Sequence, residues 1–165
     1  MKTRRNNLVL ILNIIVSILF LLPVKQLNLF NENYSTLSLS TRGYLYVLFL
    51  GILIGLLLAY ETKHITNAVN ALLIFLSLLT GTCIPHHVPY NLQGNLHMLF
   101  AYSGFAGLVI ITLLNCKIKK YRDIYLLFIF IAILLYIKFG MVNTLSEIIV
   151  MFSSLIINLF LYSKK

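Results

Sequence analysis

The residues best suited to chemistry in this chain are concentrated in one stretch, residues 81–105, with the sequence GTCIPHHVPYNLQGNLHMLFAYSGF. This stretch holds His86, His87 and His97, which are three of the four histidines in the chain. Histidine titrates near neutral pH and is a common metal ligand, so such a cluster is suited to binding a phosphate or a metal ion. Two prolines in the same stretch are typical of a loop between helices.

Three charged residues on other apolar runs are predicted to lie on the same side of the molecule as these histidines. Arg42 enters the second run, Lys138 ends the fifth, and Glu147 lies about one helical turn into the sixth. We interpret Glu147 as the one acid inside an apolar run. An ionisable residue inside a membrane helix is costly, so it is normally paired and often functional. The candidate ligand-binding residues are therefore Glu147, His97, Arg42, His86, His87 and Lys138.

Two interpretations of this cluster need no metal. In the first, Glu147 forms an ion pair with Lys138 or with Arg42, and His97 donates a hydrogen bond to a backbone carbonyl, so that the cluster closes the end of the bundle. In the second, the same residues form a shallow polar pocket for a lipid headgroup or a small solute. Arg42 and the histidines would then contact a phosphate group.

The third interpretation is a metal site. His86 or His87, together with His97 and Glu147, would supply three ligands and leave a fourth position open, as catalytic zinc requires. The spacing matches no established zinc motif. Zinc is the one cofactor that this pattern suggests, and the sequence indicates no catalytic residue apart from this metal site.

Composition identifies the surroundings of these residues as lipid. The chain is 60% hydrophobic and 10% charged, and its mean hydropathy is +0.94. Soluble domains are about 45–50% apolar and about 25% charged, so these charges are too few to cover a water-facing surface. The net charge of +9 would suit nucleic acid in a soluble protein. Here the basic residues lie at the ends of apolar runs, which favours contact with membrane lipids and argues against nucleic acid.

The apolar runs predict an all-α fold, a bundle of six transmembrane helices that forms a single domain over residues 1–165. A helix needs about 20 apolar residues to cross a bilayer core. We interpret the first run as a retained helix and not as a signal peptide, because no small-x-small cleavage site follows it. The predicted helices cover residues 8–24, 43–60, 66–84, 96–115, 124–139 and 145–161.

The distribution of basic residues predicts the orientation. If both termini are cytoplasmic, ten Lys and Arg residues lie in the inner segments and three, Lys25, Arg42 and Lys138, lie in the outer segments. Cytoplasmic loops carry an excess of these residues. The composition, rich in Ile, Asn and Lys, favours the cytoplasmic membrane of a bacterium. Cys83 and Cys116 are predicted at opposite faces of the membrane, too far apart for a disulfide.

Three segments give the chain a family resemblance. They are LLTGTCIP at the end of the third predicted helix, LHMLFAYSGFAGLVIITLL in the fourth and NTLSEIIVMFSSLIINLFLY in the last. Together they resemble the bacterial six-helix membrane proteins of the domain-of-unknown-function 998 (DUF998) family, whose layout is similar to that of the Frag1/DRAM proteins.

The resemblance implies matches at three positions. Pro85 corresponds to a proline in an outer motif, His97 to a histidine that begins the fourth helix, and Glu147 to an acid in the last helix. The sequence departs from the family at Ile148, where the family has a basic residue, and it lacks a tryptophan later in the last helix. No biochemical activity is settled for the family, so the resemblance implies topology more than function.

These observations predict a non-enzymatic integral membrane protein whose polar cluster binds a lipid headgroup, a small ligand or a partner membrane protein. The alternative is a small-solute transporter subunit, and a metal-dependent membrane lipid hydrolase is third. A transporter needs polar residues deep in the bundle. The candidates for that role are Asn67, Asn70, Ser153, Ser154 and Asn158.

Overall fold

The computed structural model describes residues 2–84 and 92–164 of the chain, with side chains from residue 7 onwards. Helices make up 86% of the structure, and the described ranges contain no strand. Each of the six predicted apolar runs corresponds to one long helix. The elements are α1 (Lys2–Leu21), a 3₁₀ helix (Leu22–Gln26), α2 (Tyr34–Leu37), α3 (Thr41–Ile65), α4 (Ala68–Cys83), α5 (Leu92–Asn115), α6 (Lys119–Phe139) and α7 (Thr144–Ser163).

Four segments in the described ranges are long and apolar enough to cross a membrane. They are Asn7–Gln26 and the helices α3, α5 and α7. Helix α4 is equally apolar but has 16 residues, which is slightly below the usual length for a span. Helix α6 has 21 residues, and its first turns are charged. The large apolar side chains exposed along these helices, such as Leu114 and Ile137, are suited to contact with lipid.

Polar side chains fix where the helices begin and end. Asn143 caps α7 by accepting a hydrogen bond from the Ser146 amide at 2.9 Å, and the Ser146 hydroxyl accepts one from the Asn143 amide in return. This reciprocal pattern satisfies donors that a helix N-terminus leaves free. Helix α6 ends at Gly140, whose φ of 70° suits a residue without a Cβ atom.

Most of the helices extend beyond the apolar runs that predicted them, and two of the extensions, in α3 and α6, bear on the later argument. Helix α3 was predicted to end at residue 60 but continues to Ile65, and α6 was predicted to begin at residue 124 but begins at Lys119. Both added segments are rich in charge, so hydropathy alone excluded them. The longer α3 brings Glu61 into the bundle, where its side chain is fully buried. The prediction that Glu147 is the one acid inside a run was therefore wrong.

Helices α3, α4 and α5 pack in sequence, and α7 packs on α1, α3, α5 and α6. Small residues allow close approach in the first group. A Cβ at Gly51 would lie 2.4 Å from Thr82 on α4, and a Cβ at Gly81 would lie 2.7 Å from the backbone of Ala101 on α5. Helices α5 and α6 each pack on α7 but make little direct contact with each other, so a crevice runs between them.

The chain between α1 and α3 folds over one end of the bundle and includes the unpredicted helix α2. We call residues 28–37 the α2 segment, and the end that they cover the α2 end. The amides of Thr144 and Leu145, in the first turn of α7, donate to the carbonyls of Glu32 and Leu29 at 2.6 and 3.1 Å. The α2 segment is therefore bonded to the α7 N-terminus through backbone groups.

Candidate functional site

Glu147 lies in the first turns of α7 and contacts the α2 segment. Its Oε2 accepts a hydrogen bond from the backbone amide of Tyr34 at 2.7 Å. The positive end of the α7 dipole also favours an acidic side chain at this position. Glu147 therefore fixes the start of α2 at the N-terminus of α7.

His97 lies on α5 and joins the α2 segment to the end of α4. Its Nδ1 is 2.7 Å from the carbonyl of Ile84, and its Nε2 is 2.9 Å from Ser35 Oγ. A carbonyl oxygen accepts and cannot donate, so Nδ1 carries the hydrogen. In the neutral ring, Nε2 then accepts from the Ser35 hydroxyl. The bond to Ile84 agrees with the interpretation in which His97 bonds to a backbone carbonyl.

Tyr34 fixes the other side of α2 in the core. Its hydroxyl donates to the carbonyl of Phe20, and its ring stacks on the Phe20 ring with centroids 4.1 Å apart. Burial raises the pKa of the Tyr34 phenol, and the nearby Glu147 carboxylate adds to that effect. Tyr34 thus anchors α2 to α1 through its side chain and to α7 through its backbone amide.

A cavity of about 550 Å³ lies in the crevice between α5 and α6, with α7 as its floor. We call it the α5–α6 groove. At the α2 end its lining includes polar side chains, among them Ser35, His97, Ser146 and Glu147. Further along, its walls are apolar and include Phe105, Ala106, Val109, Ile129 and Ile133. The groove therefore has one polar end and one apolar end.

A smaller cavity of about 130 Å³ lies on the other side of His97 and Glu147. Phe20, Leu50 and Met151 contribute to its mainly apolar lining. His97 and Glu147 line both cavities, so they form part of the wall between them.

The other predicted ligand-binding residues lie elsewhere. Arg42 is exposed in the first turn of α3, and Lys138 is exposed with its Nζ 5.3 Å from the Phe139 ring centroid. Neither residue lines the α5–α6 groove. Among the described residues, Glu147 is hydrogen-bonded to the Tyr34 amide and not to either base. His86 and His87 lie outside the described residues.

The metal interpretation rests partly on those same histidines. Within the described part of the chain, no three His, Cys, Asp or Glu side chains gather as metal ligands do. His97 and Glu147 both line the groove, but the third predicted ligand, His86, lies outside the described residues, as does Pro85. A zinc site that includes His86 therefore stays a prediction.

The polar residues expected deep in a transporter serve other contacts. Asn67 caps α4, Ser154 Oγ is 2.9 Å from the Tyr125 hydroxyl, and Asn158 accepts a hydrogen bond from Thr112 at 3.1 Å. None of the five predicted candidates lines the groove or the smaller cavity.

Comparisons of this chain with family models, curated proteins and solved structures return no match. The resemblance to the DUF998 family therefore stays a prediction. The α5–α6 groove and the residues at its polar end are the features of the described residues that bear on function.

Proposed function

We propose that this chain is a membrane protein whose α5–α6 groove binds a single amphipathic lipid. In this proposal the chain crosses the membrane six times, both termini are cytoplasmic, and the α2 end faces outwards. The observation that carries the proposal is the groove itself, which joins an apolar channel to one polar end. It acts by binding, and no catalytic step is assigned to it.

The basic residues support this topology. Ten of the thirteen Lys and Arg residues fall in the N-terminal segment, around the two helix junctions at the far end and at the C-terminus, whereas Lys25, Arg42 and Lys138 fall at the α2 end. This distribution follows the positive-inside rule. Helix α4 can cross with the help of its flanking residues, and the charges of α6 lie in its first turns and at Lys138.

The apolar part of the groove suits a hydrocarbon chain. Its lining on α5 extends from His97 to Val109, a distance of about 18 Å at 1.5 Å per residue. Ala101, Ala106 and Ala132 leave room between the larger side chains. Sites for small molecules typically combine such apolar walls with a few polar groups that fix the orientation.

The polar end favours a headgroup that donates hydrogen bonds. Glu147 presents carboxyl oxygens, and His97 Nε2, which contacts the Ser35 hydroxyl in this structure, accepts a hydrogen bond when Nδ1 carries the one ring hydrogen. Among the described residues, no Lys or Arg side chain lines the groove to pair with an anionic head. Arg42, which was expected to bind a phosphate, does not line the groove. We therefore propose an uncharged, hydroxyl-bearing head, such as that of a monoacylglycerol.

Binding of two lipids with the same acyl chain tests this proposal. Purified protein in nanodiscs is titrated with a monoacylglycerol and, separately, with a lysophosphatidic acid. We expect the monoacylglycerol to bind more tightly, and Ala106→Trp, which fills the groove, to weaken its binding at least about tenfold, or about 1.4 kcal/mol. Ile110→Trp is the matched control because Ile110 is exposed on α5 and does not line the groove. Equal binding by the wild type and Ala106→Trp would refute the proposal.

A further inference from the structure

A second polar cluster lies where α1 packs on α3, away from the groove. Asn13 on α1 donates a hydrogen bond from Nδ2 to Glu61 Oε1 at 2.7 Å. Glu61 is fully buried, and Asn13 is 5% exposed. Both residues belong to segments that are long and apolar enough to cross a membrane. A carboxyl group is thus buried within the bundle, and among the described residues its hydrogen-bond partner is an amide and not a base.

The orientation of the Asn13 amide is fixed by a second contact. Nδ2 also donates to the carbonyl of Val9 at 3.0 Å, one turn earlier on α1. A carbonyl oxygen can only accept, so the atom that faces it must be the NH₂ group. The two hydrogens of that group are therefore committed to Val9 and to Glu61.

Asn13 and Glu61 each have one further side-chain oxygen that this hydrogen bond does not involve. Asn13 Oδ1 and Glu61 Oε2 are both buried and have no hydrogen-bond partner among the described residues. Each is an acceptor when the carboxyl group is ionised, so neither can satisfy the other. Buried polar atoms are normally hydrogen-bonded, and a buried charge without a partner is more costly still.

A single proton on Glu61 Oε2 resolves both problems. It removes the charge from the buried carboxyl group, and it turns Oε2 into a donor. Asn13 Oδ1 is the acceptor of the same pair that still lacks a donor. A carboxylic acid and a primary amide have the matching donor and acceptor groups needed to pair through two hydrogen bonds.

We propose that Asn13 and Glu61 form a proton-binding site, in which Glu61 holds a proton at neutral pH and donates it from Oε2 to Asn13 Oδ1. Binding and release exchange H⁺ with water, with no change of oxidation state. Release leaves two buried acceptors without a donor and a charge on the buried carboxyl group, which weakens the packing of α1 on α3. This site is separate from the α5–α6 groove, so neither proposal depends on the other.

Other titratable groups near this end of α3 must be distinguished from Glu61. On α3 itself they are Tyr60, Lys63 and His64; Tyr162 lies on α7, and Lys164 follows the end of α7. Lys63 and Lys164 are exposed, and the His64 ring packs on the Tyr162 ring with centroids 5.4 Å apart. Helix α4 has no titratable group before Cys83 at its far end, α2 contributes Tyr34 at the α2 end, and the side chains of residues 2–6 on α1 lie outside the described residues.

Infrared spectroscopy detects the carboxyl group without interference from these side chains. A protonated carboxyl group has a carbonyl stretching band that a carboxylate lacks, and the chain has four Asp and Glu residues in all. We expect the wild-type protein in lipid nanodiscs at neutral pH to show this band. Glu61→Gln should lose the Glu61 component of the band, and Glu147→Gln should leave that component in place. The glutamine presents the same donor and acceptor pattern as the protonated acid, so the fold should be kept. Asp123→Asn, at an exposed acid, is the matched control and should leave the band unchanged.

A second variant assigns the band if Glu61→Gln cannot be purified. Asn13→Ala removes the donor to Glu61 Oε1, so the carbonyl stretching band should shift to higher frequency while remaining present. Absence of the band in the wild-type protein at neutral pH would overturn the proposal. So would a band that neither Glu61→Gln nor Asn13→Ala alters.

Discussion

Glu147 and His97 bind two consecutive residues of the same short helix. Glu147 Oε2 accepts from the Tyr34 amide at 2.7 Å, and His97 Nε2 lies 2.9 Å from Ser35 Oγ. The two side chains come from α7 and α5, which also line two sides of the α5–α6 groove. The position of α2 is therefore tied to the residues at the polar end of the groove.

Ser35→Ala removes the hydroxyl that contacts His97. We expect a loss of about 1 kcal/mol in the free energy of unfolding, which is a fall of about 2–4 °C in melting temperature for a chain of this size. Ser103→Ala is the control, because Ser103 is exposed and bonds within its own helix. Equal melting temperatures for Ser35→Ala and Ser103→Ala would contradict a role for the Ser35–His97 contact.

Comparing Glu147→Ala with Glu147→Gln tests whether Glu147 stabilises the fold as a hydrogen-bond acceptor or through its charge. Alanine leaves the Tyr34 amide without its acceptor, and we expect this to cost about 1–3 kcal/mol of unfolding free energy. Glutamine keeps a carbonyl oxygen that can accept from that amide, so Glu147→Gln should lose less unfolding free energy than Glu147→Ala. Thermal unfolding in the same detergent measures both. A glutamine variant as unstable as the alanine variant would indicate that the charge matters and the amide contact does not.

Tyr34→Phe should reduce the loss of stability at alkaline pH. The pKa of the Tyr34 phenol is raised in the folded chain, chiefly by burial and secondarily by Glu147. The buried, protonated phenol therefore contributes fully to the free energy of unfolding below the unfolded pKa of about 10. This contribution is lost as the pH rises above that value. Phenylalanine does not ionise, so the melting temperature of Tyr34→Phe should fall less than that of the wild type over this pH range. Tyr136→Phe, at an exposed ring, is the control and should behave as the wild type does.

Single cysteines test the orientation of the helices. In a chain whose Cys83 and Cys116 have been replaced, Leu39→Cys places a thiol at the α2 end and Lys120→Cys places one at the opposite end, both at exposed positions. We expect an impermeant maleimide to label Leu39→Cys in intact cells and Lys120→Cys after permeabilisation. Labelling of both thiols from one side would contradict the proposed six crossings.

Much of this architecture could be predicted from hydropathy. Each apolar run corresponds to one helix, because a long apolar segment in lipid must satisfy its backbone groups internally. His97 and Glu147 were identifiable because a polar side chain inside an apolar run is conspicuous. The ends of α3 and α6 were not predictable, because Glu61 and Lys119 lie among other charges where hydropathy falls.

The α2 segment and the groove have no comparable signal in the sequence. The α2 segment is bonded through backbone carbonyls and amides, such as those of Glu32 and Thr144, and these groups are present in every residue. The groove depends on α5 and α6 packing on α7 and not on each other. That arrangement is a property of the packed helices, and no local pattern of residues encodes it.

Photo-crosslinking with a monoacylglycerol that carries a diazirine on its acyl chain tests lipid binding in the groove most directly. After irradiation in nanodiscs, mass spectrometry locates the attached lipid. We predict attachment concentrated at residues 105–109 of α5 and 129–133 of α6, with competition by unlabelled monoacylglycerol. Attachment spread over the lipid-facing surfaces of α1 and α4, without competition, would contradict a specific site in the groove.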